Sequence, residues 1–133
     1  MKIKVFRIIL VLLVAAVIVV TIFVISNPLR KSEERIRDSM LVQTPIGTSM
    51  EDVITTIENE KEWKTDWVDD DFAYRLDEDG KEYIPESKEK SIRVNIGTYR
   101  KIIIFPVHVS VYYYFDEEST LLDIEVTKNM DTL

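Results

Sequence analysis

The sequence is short of the residues on which most catalytic and metal sites depend. It has no cysteine, one histidine and three glycines among 133 residues. The absence of cysteine excludes disulfide bonds, a thiol nucleophile, thiolate metal sites and the lipidated cysteine of a bacterial lipoprotein. The sequence also has no glycine-rich phosphate loop and no serine in a nucleophile elbow. We therefore predict a protein without catalytic residues, cofactor or resident metal.

The one histidine, His108, is the residue to consider as a general base or a pH sensor. The alternating pattern around it places its side chain on the solvent side of a predicted strand, beside Ser110. Its own segment contains no acidic or basic partner with which it could exchange a proton. We interpret His108 as a surface residue rather than a catalytic one.

Acidic residues are confined to the part of the chain that follows Ser26. All 24 of them lie there, whereas three of the 17 basic residues precede Ser26, which leaves a net charge of −10 on the later part. A negative field of this size repels nucleic acid and anionic lipid. The 107 residues after Ser26 are enough for one domain. We predict a single acidic domain that does not bind nucleic acid.

One long apolar run occupies most of the N-terminal part. Residues Ile8–Ile25 contain no charge, and Thr21 is the only polar residue among them. As a helix, this run is about 27 Å long, close to the thickness of a bilayer core. A helix also satisfies its own backbone hydrogen bonds in lipid. We predict a transmembrane anchor within residues 1–26.

The charges beside this run indicate its orientation. Lys2, Lys4 and Arg7 precede it without any acidic residue, whereas basic and acidic residues are mixed after it. The positive-inside rule then places the N-terminus in the cytoplasm and the following domain outside it. The alternative is a cleaved signal peptide, with Val24 and Ser26 as the small residues of a cleavage site, although the run is longer than the usual apolar region of such a peptide.

Residues 27–45 have two open interpretations. An Asn-Pro pair at the start is typical of a helix N-terminus, and Leu29, Ile36 and Met40 fall near one face of a helix. The segment is either a juxtamembrane helix that docks on a partner or a solvated stalk, and we favour the stalk. In both interpretations residues 46–133 form the extracytoplasmic domain.

The next helix has the most specific sequence signal of the domain. Thr48 and Glu51 are spaced as a capping box, in which each side chain bonds to the backbone N–H of the other residue. The apolar residues that follow recur at the spacing of a buried helical stripe. These residues are Met50, Val53, Ile54 and Ile57. We predict a helix over Ser49–Glu60.

Residues 63–90 are polar and poorly periodic. Phe72, Tyr74 and Leu76 alternate, and the sequence Asp-Glu-Asp-Gly at 77–80 is a turn signal. A loose hairpin is therefore predicted in this segment.

The same turn has part of the spacing of an EF-hand calcium loop. Asp77, Asp79 and Glu86 occupy the third, fifth and twelfth positions of such a loop. Arg75, however, stands at the first position, where the ion requires a carboxylate, and Pro85 interrupts the exit helix. We predict no metal site here.

Period-two alternation predicts three half-buried antiparallel strands in the last third of the chain. They lie near residues 92–96, 107–115 and 122–127, with a turn at 116–120 between the last two. Pro106 cannot donate to a sheet ladder, so residues 101–105 are predicted as an edge, a bulge or a separate short strand. The predicted fold class is α+β: the transmembrane helix, then two short helices packed on one face of a three-stranded antiparallel sheet.

The open face of this sheet is the predicted partner site. If the odd-numbered residues of the 107–115 strand face the helices, Tyr112 and Tyr114 point to the other face, together with His108 and Arg93. Aromatic rings with polar tips on an open face are typical of protein interfaces. The alternative is that residues 63–90 fold over the tyrosines, and the sequence does not decide between the two.

Two stretches of the chain carry a family resemblance. They are Thr44-Pro45-Ile46-Gly47-Thr48-Ser49-Met50-Glu51-Asp52-Val53, and the Val- and Tyr-rich strand that ends Tyr114-Phe115-Asp116 before Leu122-Asp123-Ile124-Glu125-Val126. In this pattern the chain resembles the small lipoproteins of the bacterial outer-membrane barrel-assembly machinery and the related β-lactamase-inhibitor-protein-like fold. The resemblance implies two helices and a three-stranded meander in a non-catalytic envelope protein that works by contact. The chain departs from these lipoproteins in having an apolar helix instead of a lipidated cysteine.

These features together predict a single-pass protein of the bacterial cell membrane whose domain binds another envelope protein through its sheet face. The alternative function is a sensor domain at the cell surface that responds to a small ligand or to calcium.

The predicted orientation can be tested by protease accessibility. We expect protease added to intact protoplasts to remove the C-terminal domain, and a reporter fused to the C-terminus to behave as external. Replacing Lys2, Lys4 and Arg7 by Glu removes the positive charges that fix the orientation, so the fraction of external reporter should fall. Full protection of the domain in intact protoplasts would contradict the predicted topology.

Overall fold

The computed structural model divides the chain into two units, Met1–Lys31 and Ser32–Leu133. It describes residues 1–71, 73, 75–85, 88–101 and 104–130. The helices are α1 (Lys2–Ile25), α2 (Glu33–Gln43) and α3 (Met50–Asn59), with a 3₁₀ turn at Pro28–Arg30. The strands are β1 (Lys64–Asp69), β2 (Arg75–Leu76), β3 (Glu82–Tyr83), β4 (Lys90–Lys101), β5 (Phe105–Phe115) and β6 (Leu121–Met130).

The predicted apolar helix corresponds to α1. All of its residues are exposed within the chain, and its length and composition are sufficient to cross a membrane. The Thr21 hydroxyl, the one polar side chain of the apolar run, donates to the Val17 carbonyl oxygen at 2.8 Å. Thr21 therefore needs no hydrogen-bond partner outside the helix, which reduces the cost of placing it in lipid.

The main sheet has four antiparallel strands in the order β1-β4-β5-β6, and β2 pairs with β3 in a second, two-stranded sheet. The α+β class is confirmed, but the predicted three-stranded sheet lacks β1, which pairs with β4. The register of β1 shifts between Thr65 and Trp67, and most of its side chains are exposed. A strand whose alternation is broken in this way gives no period-two signal.

One face of the sheet packs against the helices. The odd-numbered residues of β5 share this face with alternate residues of β4 and β6. Its buried members include Ile92, Val94, Val109, Val111, Tyr113, Ile124 and Val126. The Tyr113 hydroxyl lies 3.9 Å from the Met40 Sδ of α2, and α3 adds Met50, Val53 and Ile57 to the buried core.

The segment containing α2 is part of the domain and not a solvated stalk. α2 packs against β6 and buries Ile36 and Met40. Its polar residues also bond to the edge of β6: the Arg37 Nε donates to the Ile124 carbonyl oxygen at 2.7 Å, and a Glu33 carboxylate oxygen accepts from the Lys128 N–H at 3.2 Å. The stalk interpretation is wrong because it assigned the charged residues of α2 to solvent.

The N-terminal cap of α3 is one residue later than predicted. The Ser49 hydroxyl accepts from the Asp52 N–H at 3.2 Å, so Ser49 is the cap and the Thr48–Glu51 capping box is wrong. The Thr48 hydroxyl instead donates to the Pro45 carbonyl oxygen at 2.6 Å. Gly47, with a φ of +94°, allows the tight turn that brings these two groups together.

The predicted hairpins are present. Asp77 closes the β2–β3 turn by accepting from the N–H groups of Asp79 and Lys81, whereas Phe72 and Tyr74 lie outside the described residues. The turn between β5 and β6 covers residues 116–120, as predicted. Pro106 is tolerated near the start of β5 because the pairing of β5 with β6 begins only at Val107.

Substitutions in α3 should separate packing from capping. Ile57 is 4% exposed, so Ile57→Ala should lower the free energy of unfolding by about 2–5 kcal/mol. Ser49→Ala removes the cap and should cost about 1 kcal/mol. Urea titration followed by tryptophan fluorescence reports on the second unit alone, because Trp63 and Trp67 both lie in it.

Ile84→Ala is the matched control for this series. Ile84 is 53% exposed, so its truncation should change the free energy of unfolding by less than about 0.5 kcal/mol. A loss as large as that of Ile57→Ala would contradict the packing described here.

Candidate functional site

The predicted partner residues lie on the sheet face opposite α2. Arg93 pairs with Tyr112, and Thr98 pairs with His108, across β4 and β5. Tyr112 is 3% exposed and Tyr114 is fully buried. The expectation of an open tyrosine face is therefore wrong, and the alternative, in which residues 63–90 fold over it, is confirmed for the described part of that segment. Trp67, Ala73 and Leu76 form the cover.

Aromatic and cationic side chains hold this cover on the sheet. The Trp67 ring meets the Tyr112 ring edge to face, with centroids 6.0 Å apart, and the Tyr112 and Tyr114 rings are stacked at 6.3 Å. The Arg93 guanidinium carbon lies 4.9 Å from the Trp67 ring centroid and 5.4 Å from that of Tyr112. Arg93 also pairs with Asp66 at 3.3 Å, so the predicted partner residue Arg93 stabilises the cover.

Arg75 fixes the β2–β3 hairpin to the same face. Its guanidinium donates two hydrogen bonds to the Glu89 carboxylate, at 2.9 and 3.1 Å, and its carbon lies 4.3 Å from the Tyr114 ring centroid. Asp123 is 3.9 Å from a third nitrogen of Arg75. The Tyr114 hydroxyl donates to Glu125 at 3.0 Å. The two parallel hydrogen bonds to Glu89 give Arg75 a fixed orientation that a lysine could not reproduce.

His108 lies apart from this cluster. It is four residues from Tyr112 along β5, which corresponds to about 13 Å. Its Nδ1 lies 2.8 Å from the Thr98 hydroxyl oxygen, and its side chain is half-buried. The structure therefore brings Arg93, Tyr112 and Tyr114 together and leaves His108 towards the other end of the strand.

A cleft runs beside β6, between α2 and the β2–β3 hairpin, and is here called the β6 cleft. Its volume is about 480 Å³. Its lining residues are Glu33, Glu34, Arg37, Arg75, Leu76, Tyr83, Asp123, Ile124, Glu125 and Val126. Four carboxylates face two guanidinium groups there, so the lining has an excess of negative charge. Such a lining favours a cationic group.

Ion pairs set the shape of the β6 cleft. Arg37 donates to an Asp123 carboxylate oxygen at 2.6 Å, and this hydrogen bond raises the pKa of Arg37. Burial, the largest single effect, lowers the pKa of Arg75, but the hydrogen bonds that Arg75 donates to Glu89 and the nearby negative charges of Glu89 and Asp123 together leave this pKa raised. Both guanidinium groups therefore stay charged, and they hold α2 and the hairpin at the two walls of the cleft.

Sequence reasoning missed the residues of this cleft. In the sequence Arg37 belongs to the segment 27–45, for which we favour a stalk, and Arg75 stands at the first position of the incomplete calcium loop. The one available signal was the presence of isolated arginines within segments of strongly acidic composition, because such arginines usually pair with nearby carboxylates.

No metal site accompanies the cleft in the described part of the chain. Among those residues, no group of three or more His, Cys, Asp or Glu side chains is arranged to hold an ion. Glu86, the predicted twelfth residue of a calcium loop, lies outside the described residues. A second cleft of about 470 Å³ lies near the start of β4 and the turn that follows β5, and it is lined by Asp70, Asp71, Lys88, Lys90 and Glu117.

Comparison of the chain with protein-family models, with curated proteins and with solved structures gives no match in any of the three. The resemblance to the barrel-assembly lipoproteins therefore stays a prediction.

Three adjacent tyrosines have raised pKa values. Burial raises the pKa of Tyr112, and it raises that of Tyr113 to about 12. Burial is also the main reason for the raised pKa of Tyr114, and the neighbouring Glu125 carboxylate raises it further. All three rings are thus held in their neutral form by the fold.

This arrangement predicts alkaline unfolding. The unfolded chain has tyrosine pKa values of about 10, so it loses these protons first as the pH rises. The stability that the three tyrosines contribute is complete below about pH 10 and is lost as the pH rises towards their folded values. Ultraviolet absorbance should show a group of tyrosines that titrates only as tryptophan fluorescence reports unfolding.

Tyr113→Phe should move the midpoint of alkaline unfolding to higher pH, because it removes one buried group that must ionise. Tyr83→Phe is the control, since Tyr83 is 48% exposed, and it should leave the midpoint unchanged. Titration of every tyrosine near pH 10 in a protein that is still folded would contradict the burial of these rings.

Proposed function

We propose that this chain is a single-pass membrane protein that holds a non-catalytic domain outside the cytoplasm, where the β6 cleft binds a basic segment of another envelope protein. Two features support the membrane part of the proposal. α1 is long and apolar enough to span a bilayer, and the basic residues before its apolar run favour a cytoplasmic N-terminus.

The β6 cleft is the observation that carries the binding part. It is a concave surface of about 480 Å³ with an excess of negative charge. Tyr83 lines it and is 48% exposed, and Glu34, also in its wall, is exposed on α2. An accessible aromatic ring close to an exposed carboxylate can contact a lysine or arginine side chain of a partner.

The edge of β6 limits how a partner can bind. Arg37 and Glu33 already occupy the outward carbonyl of Ile124 and the outward N–H of Lys128. An incoming strand would have to displace these bonds, so extension of the sheet by a partner strand is disfavoured. A partner is therefore expected to bind through contacts with side chains in the β6 cleft.

Three of the four residues that the sequence assigned to partner binding, Arg93, Tyr112 and Tyr114, have a supporting role in this proposal. Tyr112 and Tyr114 lie beneath the cover and hold Trp67 and Arg75 in place. Arg75 in turn forms part of the cleft wall. We therefore assign the partner contact to the β6 edge of the sheet and not to the tyrosine rings.

A small cationic ligand is the second candidate. The volume of the cleft lies within the range of about 300–1,000 Å³ that is usual for small-molecule sites, and its carboxylates would select a positive charge. This corresponds to the sensor alternative.

Paired variants of the full chain in nanodiscs test the proposed site. Glu34→Lys with Tyr83→Ala reverses the charge and removes the ring without touching the Arg37 or Arg75 bonds. We expect affinity for an oligolysine peptide, measured by calorimetry, to fall by about 10-fold or more. Glu58→Lys with Val42→Ala is the control, because both of its residues are exposed outside the cleft.

The two candidate functions differ in a thermal-shift experiment. A small ligand such as a polyamine, or calcium, raises the melting temperature if it binds only the folded domain. A photo-crosslinking residue at position 83 should instead capture a protein in intact cells, and Glu34→Lys should abolish that product. Equal binding and crosslinking by the cleft and control variants would overturn the proposed site.

A further inference from the structure

The β4–β5 hairpin ends in a surface unlike the rest of the acidic domain. Arg100 and Lys101 are exposed at the end of β4, and Ile104, just before β5, is 63% exposed. Met130, at the end of β6, is 47% exposed beside them in the sheet. With the half-buried Tyr99 and Lys128, these residues are here called the basic tip. Its members are Tyr99, Arg100, Lys101, Ile104, Lys128 and Met130.

Tyr99 and Lys128 form a pair within the basic tip. The Lys128 Nζ lies 4.9 Å from the Tyr99 ring centroid and 3.4 Å from its hydroxyl oxygen. The tip therefore combines three cations, one amphipathic ring and two exposed apolar side chains. This combination is typical of protein surfaces that rest in the headgroup region of a bilayer.

The opposite end of the sheet has the opposite charge. The turn that follows β5 contains Asp116, Glu117 and Glu118, and the N-terminus of α3 is tied to this turn by the bond from the Met50 N–H to the Ser119 carbonyl oxygen at 2.8 Å. Asp70 and Asp71 line a cleft with Glu117. β5 separates the two ends by 11 residues, or about 36 Å. The sheet therefore carries positive side chains at the basic tip and an excess of negative side chains at its other end.

The first residue of α2 contacts the sheet in the half of β5 and β6 that is nearer the basic tip. Glu33, the first residue of α2, bonds to the Lys128 N–H, and Lys128 pairs with Val109 of β5. Val109 is four residues from the start of β5, or about 13 Å from the hairpin turn. In the sequence only residues 26–31 separate the apolar helix from Ser32, and six residues span about 20 Å at most. The tether therefore keeps the start of α2 within about 20 Å of the end of the apolar helix.

We propose that the basic tip binds the anionic lipid surface of the membrane that α1 spans. The inference rests on the anchor in the proposed function and adds a second, peripheral membrane contact. The cations match lipid phosphates, and Ile104 and Met130 supply apolar area for the headgroup boundary. The domain then stands with its acidic end away from the bilayer.

The net charge of the domain does not prevent this contact. The sequence predicts repulsion from anionic lipid, but at physiological ionic strength charges are screened over about 8 Å. The acidic end is several screening lengths from the basic tip. Among the described residues Glu33 is a carboxylate near the tip, and its bond to the Lys128 N–H turns it towards the protein.

The absence of cysteine allows the contact to be measured at single sites in the full chain. An environment-sensitive fluorophore attached to Ile104→Cys reports burial through quenching by lipids that carry a nitroxide on their acyl chains. The protein is placed in nanodiscs at one chain per disc, made of phosphatidylcholine with or without phosphatidylglycerol. Because each disc holds one purified chain, neither a second copy nor another protein can cover the tip.

We expect Ile104→Cys to be quenched several-fold more in anionic discs than the label at Ile84→Cys, an exposed control outside the tip. Adding Arg100→Glu and Lys101→Glu should reduce that quenching to the control level. Reversal of Lys61 and Lys88, two exposed lysines elsewhere in the domain, should leave it unchanged.

A label at Ile18→Cys, within α1, distinguishes the two ways of failing. If the label at Ile18→Cys is quenched and the label at Ile104→Cys is quenched no more than the label at Ile84→Cys, the lipid contact is overturned and the anchor stands. If Ile18→Cys is not quenched, the anchor is overturned and the lipid contact falls with it. Equal quenching of Ile104→Cys in neutral and anionic discs overturns recognition by charge.

Discussion

The burial of β5 on both faces is the constraint on which the rest of the domain depends. Its odd-numbered residues pack towards α2, and Tyr112 and Tyr114 are buried on the other side. A sheet with helices on one face alone would leave both rings in water. Part of the polar segment between α3 and β4 therefore packs on these rings as a second layer, which contains Ala73 and Leu76 of the β2–β3 hairpin. Trp67 of β1 covers the rings from within the main sheet. Most of the net stabilisation of that layer comes from area removed from water, since its strands are too short to be stable alone.

The buried tyrosine hydroxyl groups restrict which side chains can form this second layer. A tyrosine ring can be covered by any hydrophobic side chain, but its hydroxyl requires a partner once water is excluded. Tyr114 donates to Glu125, and Arg75, held by Glu89, lies over its ring. The chain thereby places a carboxylate and a guanidinium at the rim of the cover, where they become walls of the β6 cleft. The cleft is in this sense a consequence of covering the tyrosines.

Elements with an uninterrupted period could be predicted from the sequence, and those stabilised by distant contacts could not. β4, β5, β6 and α3 have patterns that local geometry explains. β1 is not predicted because a bulge breaks its alternation. The cap of α3 is Ser49 and not Thr48 because the Thr48 hydroxyl is turned towards the Pro45 carbonyl oxygen, to which it donates. The β6 cleft was beyond sequence reasoning for a different reason. Arg37 and Asp123 are 86 residues apart, so nothing in their spacing reveals that they form one wall.

Net charge is the sequence property that says least about which surfaces the domain can bind, because one value for the whole domain does not show where the charges lie. A value of −10 on the residues after Ser26 is correct, yet screening divides a sheet about 36 Å long into ends that act independently at contact distance. The same acidic excess gives the β6 cleft its negative lining, whereas the basic tip carries three cationic side chains. The exclusion of anionic lipid follows from total charge only at low ionic strength, where the Debye length approaches about 30 Å and the two ends are no longer distinct. At physiological salt the arrangement of charge along β5, and not its sum, determines which surfaces the domain can touch.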